Sequence, residues 1–245
     1  MYGEEFSTIY DAVYSLRGKD YPAEAAFLTE TVRSRAPGAA SLLDVGCGTG
    51  SHLVHFAEDF GHVEGLDYVE DMLTVAKGRL PDVPLHHGDM RSFDLGRRFD
   101  ALVCLFGTVG HAWTHGELRD TFACFARHLE PGGVVAVDPW WFTERFIDGY
   151  VSADVISPDG TSIARVSHTR RDGDVSRMEV HYVVANAADG ARHFQESYTH
   201  RLFSRAEYEQ ALREAGFDFD YIDGVQSGRG LFVATHAPTS RKEQA

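Results

Sequence analysis

The chain has little cysteine and no long apolar run. Its three cysteines, Cys47, Cys104 and Cys124, lie far apart and form no C-x-x-C pair. This spacing argues against a disulfide framework and a zinc site, and it favours a reducing, cytoplasmic environment. No apolar stretch reaches the roughly 18 residues of a membrane span, and no basic segment followed by an apolar one opens the chain. We therefore expect neither membrane insertion nor export.

Positive charge is also scarce. The sequence has 23 Lys and Arg against 37 Asp and Glu, for a formal net charge of −14. A protein that binds nucleic acid usually carries a basic stripe, so we expect that nucleic acid is not the substrate. Residues 150–205 differ from the rest, because they contain seven basic and seven acidic residues. An anionic substrate would be repelled least by this neutral segment.

A glycine-rich loop is the most informative feature that is present. The apolar run 42–45 ends in Gly46, Gly48 and Gly50, and a helix-like segment follows. This pattern is typical of a buried parallel strand that turns sharply into a helix and leaves its backbone open to a ligand. The next apolar run, 63–67, ends in Asp67, whose carboxylate can accept both hydroxyls of a ribose. Together the two runs predict an adenosine-containing cofactor.

The glycine spacing and three later motifs specify the cofactor. A dinucleotide site needs G-x-G-x-x-G, whereas the third glycine here comes one position early. Asp89-Met90 follows a third apolar stretch, a fourth strand is predicted over 99–106, and an L-x-P-G-G turn leads into a strand at 129–137. In this order the motifs resemble the class I S-adenosylmethionine (SAM) methyltransferases.

That resemblance implies an α/β fold, a doubly wound Rossmann-like sheet. It also implies a set of cofactor-binding residues at the carboxyl ends of the strands and in the segment before them. These residues are Tyr21, Gly46, Gly48, Asp67, Asp89, Met90 and Leu105. No His, Asp or Glu set has metal-ligand spacing, so we expect no metal.

After the fifth core strand the period of the sequence changes. Segments 162–168 and 178–184 alternate with a period of two and are separated by a turn sequence at 171–174. Residues 151–203 are therefore predicted to be an inserted antiparallel β segment. We expect a core at 1–150, this insertion at 151–203, a helix and hairpin that complete the core at 204–237, and a tail at 238–245. Ser204 and Gly216 are the predicted ends of that last helix.

Further motifs resemble one subgroup, the N,N-dimethyltransferases of nucleotide-linked 3-amino-3,6-dideoxyhexoses, which make sugars such as desosamine or mycaminose for antibiotics. The motifs lie at 11–21, 138–142, 151–154, 164–168, 177–181 and 227–232. Two positions depart from the subgroup. Asp67-Tyr68 stands where a Glu-Ser pair is usual, and His111 stands where some members have Tyr.

The resemblance implies SAM-dependent N,N-dimethylation of a thymidine diphosphate (dTDP) amino sugar. Tyr14 is predicted to hold the amine, and His111 is the candidate base, with a loop histidine as its alternative reading. Arginine and hydroxyl donors suit a diphosphate, and aromatic rings suit thymine or the sugar. The predicted substrate-binding residues are Tyr14, Arg17, Trp141, Arg165, Ser167, His168, His181, Ser227 and Arg229.

The sequence leaves other functions open. A sugar O-methyltransferase, a methyltransferase for another small molecule and a non-catalytic SAM-binding module share the cofactor motifs. Which sugar is bound and whether one or two methyl groups are transferred also stay open. The edge and apolar face of the inserted sheet lead us to expect a homodimer.

Overall fold

Eleven strands form in the part of the chain that the structure describes, which is 9, 11, 13–15, 17–158, 160–226 and 228–236 of this computed structural model. The core strands are β1 (Ser41–Val45), β2 (His62–Asp67), β3 (Leu85–His87), β4 (Phe99–Cys104), β5 (Leu129–Val137), β10 (Phe217–Ile222) and β11 (Leu231–His236). The inserted strands are β6 (Tyr150–Ile156), β7 (Ser162–Asp172), β8 (Val175–Asn186) and β9 (Gly190–Arg201).

The core strands form one sheet in the order β10-β11-β5-β4-β1-β2-β3. Strands β1 to β5 pair in parallel, and β11 is antiparallel to both of its neighbours. The order reverses between β1 and β4, which is the switch point where open α/β sheets bind their ligands. The predicted doubly wound α/β class is confirmed.

Five helices cover the described core. They are α1 (Tyr21–Arg35), α2 (Leu53–Asp59), α3 (Glu70–Arg79), α4 (His115–Arg127) and α5 (Arg205–Glu214), and a 3₁₀ turn spans Thr108–His111. Ser204 caps α5 in a capping box with Glu207, as the S-x-x-E spacing predicts. Within the described ranges, no helix is long and apolar enough to cross a membrane.

Alternation along the buried strands separates two apolar layers. In β1, Leu42 belongs to the layer that contains Leu28 of α1 and Phe56 of α2. Its neighbour Leu43 belongs to the opposite layer, which contains Phe122 of α4. Successive side chains point to opposite faces of a strand, so one apolar run supplies both layers. The carboxyl edge of the sheet is left for the site.

The predicted L-x-P-G-G turn lies inside β5. Pairing with β4 shifts register between Phe99 and Ala101, and Gly132 has φ +82°. The chain therefore continues in extended form through Pro131 with a local irregularity, because a β-bulge accommodates residues that a regular ladder does not. The later part of β5, from Val134, is fully buried.

The inserted strands form a separate antiparallel sheet in the order β6-β7-β8-β9. One face of this sheet is apolar, and Ile163, Val180 and Tyr182 pack there against Ile9 and Val13. Before Arg17 the described residues are 9, 11 and 13–15, and all of them are helical. This N-terminal segment thus packs on the inserted sheet. The predicted tail 238–245 also lies outside the described residues.

Candidate functional site

The glycine loop follows β1 and closes on the end of β2. Gly46 has φ +76°, and a Cβ there would lie 2.6 Å from Thr108 Cγ2, so both its conformation and its surroundings require glycine. The Gly48 amide donates to Asp67 Oδ2 at 2.8 Å, and the Val69 amide donates to Asp67 Oδ1 at 2.8 Å. Asp67 is thereby fixed at the tip of β2. No heavy atom lies within 4 Å of a Cβ added to Gly48, so the loop leaves room for a ligand.

Asp44 lies behind the loop and was not among the predicted site residues. Burial and the charge of Asp67 raise the pKa of Asp44 to about 8. The carboxyl group is therefore largely protonated at neutral pH and can donate a hydrogen bond. A carboxylate inside the apolar run 42–45 was the sequence signal for it, since charged residues are rarely buried without a reason.

The predicted adenine-side residues follow β3 and β4. Met90 and Leu105 are buried. Asp89 is partly exposed, and its oxygens accept bonds from Arg91 Nε at 2.9 Å and Arg91 Nη2 at 2.5 Å. These bonds lower the pKa of Asp89 and keep it charged. Met90 and Leu105 offer apolar contact, and Asp89 would share its acceptors between Arg91 and a ligand.

Asp11 fastens the N-terminal segment to the glycine loop. Its Oδ1 accepts from Thr49 Oγ1 at 2.8 Å and from Ser51 Oγ at 2.6 Å, and its Oδ2 pairs with Arg79. Arg79 also donates to Ser51 Oγ at 2.8 Å. This network covers the loop from the N-terminal side, so the segment that carries Tyr14 is held next to the cofactor position.

Tyr14, Arg17 and Tyr21 each contact a different part of the structure. The Tyr14 ring meets Phe106 edge-on at 4.8 Å. Arg17 Nε lies 2.8 Å from Asp154 Oδ2 of the inserted sheet. Tyr21 is buried against His52, and its hydroxyl has no hydrogen-bond partner within the described ranges. A buried polar group of this kind calls for a partner, which a bound ligand can supply.

A cavity of about 620 Å³ lies between the sheet edge and the inserted sheet. Tyr14 and Phe106 form one wall, and Trp140 and Trp141 form another. Its charged lining residues are Arg17, Lys19, Glu24, Arg145, Arg165 and Arg229. Five of these six carry positive charge, in a chain whose net charge is −14. The cavity is suited to an anionic ligand.

Arg229 and Asp138 form a buried ion pair beneath this cavity. Arg229 Nη2 donates to Asp138 Oδ2 at 2.7 Å and Nε donates to Oδ1 at 3.1 Å. The amide of Phe106 also donates to Asp138 Oδ2, at 2.9 Å. Phe106 has φ +59°, a costly conformation for a residue with a side chain. Arg229, predicted as a phosphate ligand, thus has two of its nitrogens engaged with Asp138.

His111 does not line the cavity. Its ring centroid lies 4.5 Å from that of His200, which stacks on Trp140 at 4.1 Å. His111 is exposed as a residue, but desolvation of its ring lowers its pKa. At neutral pH the imidazole is therefore neutral and able to accept a proton. The structure places it one aromatic layer behind the cavity wall.

The predicted substrate-binding residues divide between the two faces of β7 and β8. Arg165 and Ser167 line the cavity, and Arg165 Nη1 donates to Ser167 Oγ at 3.0 Å. His168 and His181 point to the opposite face, because side chains alternate along a strand. Their prediction as substrate ligands does not fit this geometry. Ser227 lies outside the described residues.

Several cavity residues are not among the predicted site residues, and Lys19, Glu24, Phe106 and Trp140 are four of them. Lys19 lies within the motif at 11–21 and Trp140 within the motif at 138–142, so both are neighbours of predicted site residues. Glu24 and Phe106 gave no sequence signal of their own. Glu24 lies in α1 and Phe106 follows β4, and only the packing of these elements brings the two residues to the cavity.

The chain is similar to known methyltransferases. A family model for a methyltransferase domain matches residues 42–133. The chain is 54% identical to dTDP-3-amino-3,4,6-trideoxy-α-D-glucopyranose N,N-dimethyltransferase of Streptomyces venezuelae, over 97% of this chain and 100% of that protein. It is 50% identical to dTDP-3-amino-3,6-dideoxy-α-D-glucopyranose N,N-dimethyltransferase of Streptomyces fradiae, over 95% and 91%.

A solved structure is also similar. SAM-bound CalS10, an amino pentose methyltransferase of Micromonospora echinaspora involved in calicheamicin biosynthesis, superposes with a TM-score of 0.88. It is 49% identical, and the match covers 94% of this chain and 97% of that one. These similarities extend through the inserted sheet, well beyond residues 42–133.

Removal of Arg229 should destabilise the fold. Arg229→Met leaves Asp138 buried without its charged partner, and we expect a loss of about 3–5 kcal/mol in the free energy of unfolding, measured with urea. Burial already raises the pKa of Asp138 despite Arg229. In the variant that pKa rises further, so Asp138 destabilises the fold above its unfolded pKa and the deficit should be smaller at about pH 5 than at about pH 8.

The double variant Asp138→Asn with Arg229→Met is the control. It removes both charges together and should recover part of the lost stability. A single variant as stable as wild type, or a double variant no more stable than the single one, would contradict the interpretation.

Proposed function

This chain belongs to the family of dTDP-amino-sugar N,N-dimethyltransferases, and we propose that it transfers two methyl groups from SAM to the amino group of a dTDP-linked 3-amino-3,6-dideoxyhexose. The two N,N-dimethyltransferases reported above are both named for 3-amino sugars, which supports the 3-position. A place in the biosynthesis of an antibiotic deoxysugar follows from this substrate.

The residues of the glycine loop and β2 fit the cofactor. SAM supplies an electrophilic methyl group on a sulfonium. Asp67, held by two backbone amides at the tip of β2, would accept the ribose hydroxyls. Met90 and Leu105 would contact the adenine ring, Asp89 its amino group, and the loop backbone at Gly46 and Gly48 would lie along the ligand. The orphan hydroxyl of Tyr21 is a further donor on the same side.

The charged residues that line the cavity support a diphosphate-linked substrate. Four arginines and one lysine line it against a single glutamate. Arg17 and Arg229 pair closely with carboxylates outside the cavity, and so does Arg145, whose Nη1 lies 2.5 Å from Asp223. Arg165 is therefore the lining arginine whose charge is least compensated, which suits a phosphate group better than a small neutral amine.

Arg165 is the proposed phosphate ligand. It is buried on the inner face of β7, and its distance to Asp154 is 3.7 Å, longer than the other ion pairs of the cavity. Its Nε has no hydrogen-bond partner within the described part of the chain. Ser167 beside it and Arg17 would add donors. Trp141 and the exposed ring of Tyr150 line the same cavity and are suited to stack on thymine.

Tyr14 is the proposed contact for the amine. Its phenol lies near Arg165, Arg17 and Arg229, yet burial outweighs their charges and raises its pKa, so the group stays a protonated hydroxyl. Such a hydroxyl can accept from the amine N–H and leave the nitrogen lone pair directed at the methyl group. Alignment of the two reactants can contribute roughly 7–11 kcal/mol to lowering the barrier.

The reaction itself is the first test. The enzyme is incubated with SAM and dTDP-3-amino-3,6-dideoxyglucose, and products are analysed by mass spectrometry. We expect gain of one and then two methyl groups. dTDP-glucose, which lacks the amine, is the control and should not react. Methylation of dTDP-glucose would indicate an O-methyltransferase. No methylation of either, with SAM binding intact by calorimetry, would contradict the proposed sugar.

His111 is the proposed proton acceptor and, because it does not line the cavity, would take the proton through a bridging water and not directly from the amine. Its lowered pKa keeps it neutral at pH 7, and its exposed side lets the proton leave to solvent. We expect His111→Ala to lower kcat/KM about 100-fold at neutral pH. The deficit should shrink as the pH rises, because a sugar amine with a pKa of about 8 then loses its proton to water. The wild-type rate should fall only below His111's lowered pKa.

The matched control is His55→Ala, since His55 lies in α2 outside the cavity. Unchanged kinetics are expected for it at every pH. If His111→Ala has wild-type activity at neutral pH, His111 takes no part in proton transfer.

A second copy of the chain is the proposed partner. The outer face of the inserted sheet exposes Val151, Val155, Val166 and Val183, by 60%, 76%, 48% and 44%. This face belongs to the neutral segment of an acidic chain, so two copies would repel each other least through it.

Light scattering at micromolar concentration should give about twice 27.2 kDa. Val155→Glu with Val166→Glu should halve that mass. A monomeric wild type would contradict the proposal.

A further inference from the structure

Lys19 and Glu24 form a buried charge pair at the cofactor side of the cavity. Lys19 Nζ lies 2.5 Å from Glu24 Oε2, and the two side chains are 5% and 19% exposed. Both residues line the cavity. Burial of such a pair costs desolvation energy that the attraction of the two charges only partly offsets, so the pair alone is weak evidence for stability.

Neither member of the pair uses its full hydrogen-bonding capacity. An ammonium has three donors, but among the described residues Lys19 Nζ has one close carboxylate contact, with Glu24, and no other hydrogen-bond partner. It lies 4.4 Å above the Phe106 ring instead. Glu24 receives both of its contacts on Oε2, the second from His52 Nε2 at 2.9 Å. Spare donors and a spare carboxylate oxygen therefore lie side by side.

The position of the pair matches one part of the cofactor. Through His52, which begins α2 directly after the glycine loop, Glu24 is tied to the loop that would hold the adenosine. Through Phe106, Lys19 is close to the Tyr14 ring, which would hold the amine. The sulfonium of SAM has to lie between these two places, because it joins the adenosine to the transferred methyl group, and the amino-acid chain of SAM branches from the same sulfur beside this pair.

We propose that Lys19 and Glu24 bind the amino-acid end of SAM, Lys19 through the carboxylate and Glu24 through the ammonium group. That end of the cofactor is itself a zwitterion. Each residue thus gains a second partner of opposite charge without leaving a buried charge alone. Burial lowers the pKa of Lys19, and an additional carboxylate beside it stabilises the charged form.

The inference depends on SAM as the cofactor and not on the proposed sugar. It is tested by calorimetry without sugar, using three adenosyl ligands. S-adenosylhomocysteine has both charged groups, decarboxylated SAM keeps only the amine, and methylthioadenosine has neither. The variants are Lys19→Met and Glu24→Gln. The matched controls are Lys77→Met on α3 and Glu30→Gln on an exposed position of α1.

The two variants should differ in which ligand they affect. Lys19→Met should weaken S-adenosylhomocysteine at least about tenfold, the usual effect of losing a charge-assisted hydrogen bond, and leave decarboxylated SAM as tight as before or tighter. Glu24→Gln should weaken both of these ligands. Methylthioadenosine should bind all variants alike, and the controls should bind all three ligands like wild type.

Equal losses for methylthioadenosine and S-adenosylhomocysteine would overturn the proposal, since they would indicate that the pair only supports the fold of the site. Unchanged S-adenosylhomocysteine binding in Lys19→Met would overturn it as well. If a single variant unfolds on thermal denaturation, the double variant Lys19→Met with Glu24→Gln removes both buried charges and is predicted to show the same selective loss.

Discussion

The buried carboxylate of Asp138 is the constraint on which the cavity depends. It follows β5, accepts two bonds from Arg229 in the turn before β11, and accepts a third from the Phe106 amide after β4. Its own amide donates to Cys104 O at 3.0 Å. The Asp138 carboxylate thereby joins the carboxyl ends of β4 and β5 to the turn before β11. Phe106 is held at positive φ as a result, and its ring packs against Tyr14 and Lys19, which belong to both halves of the proposed site.

A second layer is added by the insertion and the N-terminal segment. The inserted sheet places Arg165 and Ser167 opposite the sheet edge, and Arg17 of the segment reaches the same sheet through Asp154. Asp11 binds the other side of the segment to the glycine loop. Cofactor and substrate positions are therefore covered by one continuous structure. The cavity of an acidic chain acquires basic residues in this way, because the N-terminal segment contributes Arg17 and Lys19 and the inserted sheet turns Arg165 inward.

Much of the fold could be predicted from the sequence, since its signals are local. Gly46 and Asp67 identify the cofactor side, because a positive φ and a carboxylate at a strand tip each follow from a few neighbouring residues. The inserted sheet was predicted from its period of two, but the face that turns inward was not. Arg165 and His168 lie three residues apart, so the alternation of β7 puts them on opposite faces, and the docking of the sheet on Val13 decides that the Arg165 face turns toward the cavity.

By itself, the sequence determined the doubly wound sheet, the glycine loop and the family, because alternation, turn residues and motif order act over short distances. The tertiary structure alone decided which charges meet. Asp138 and Arg229 are 91 positions apart, and Glu24 meets His52 across 28. No local pattern encodes such pairs. A buried charge takes whatever partner the packed elements bring within hydrogen-bond distance, and that depends on how the sheet, the insertion and the N-terminal segment close over one another.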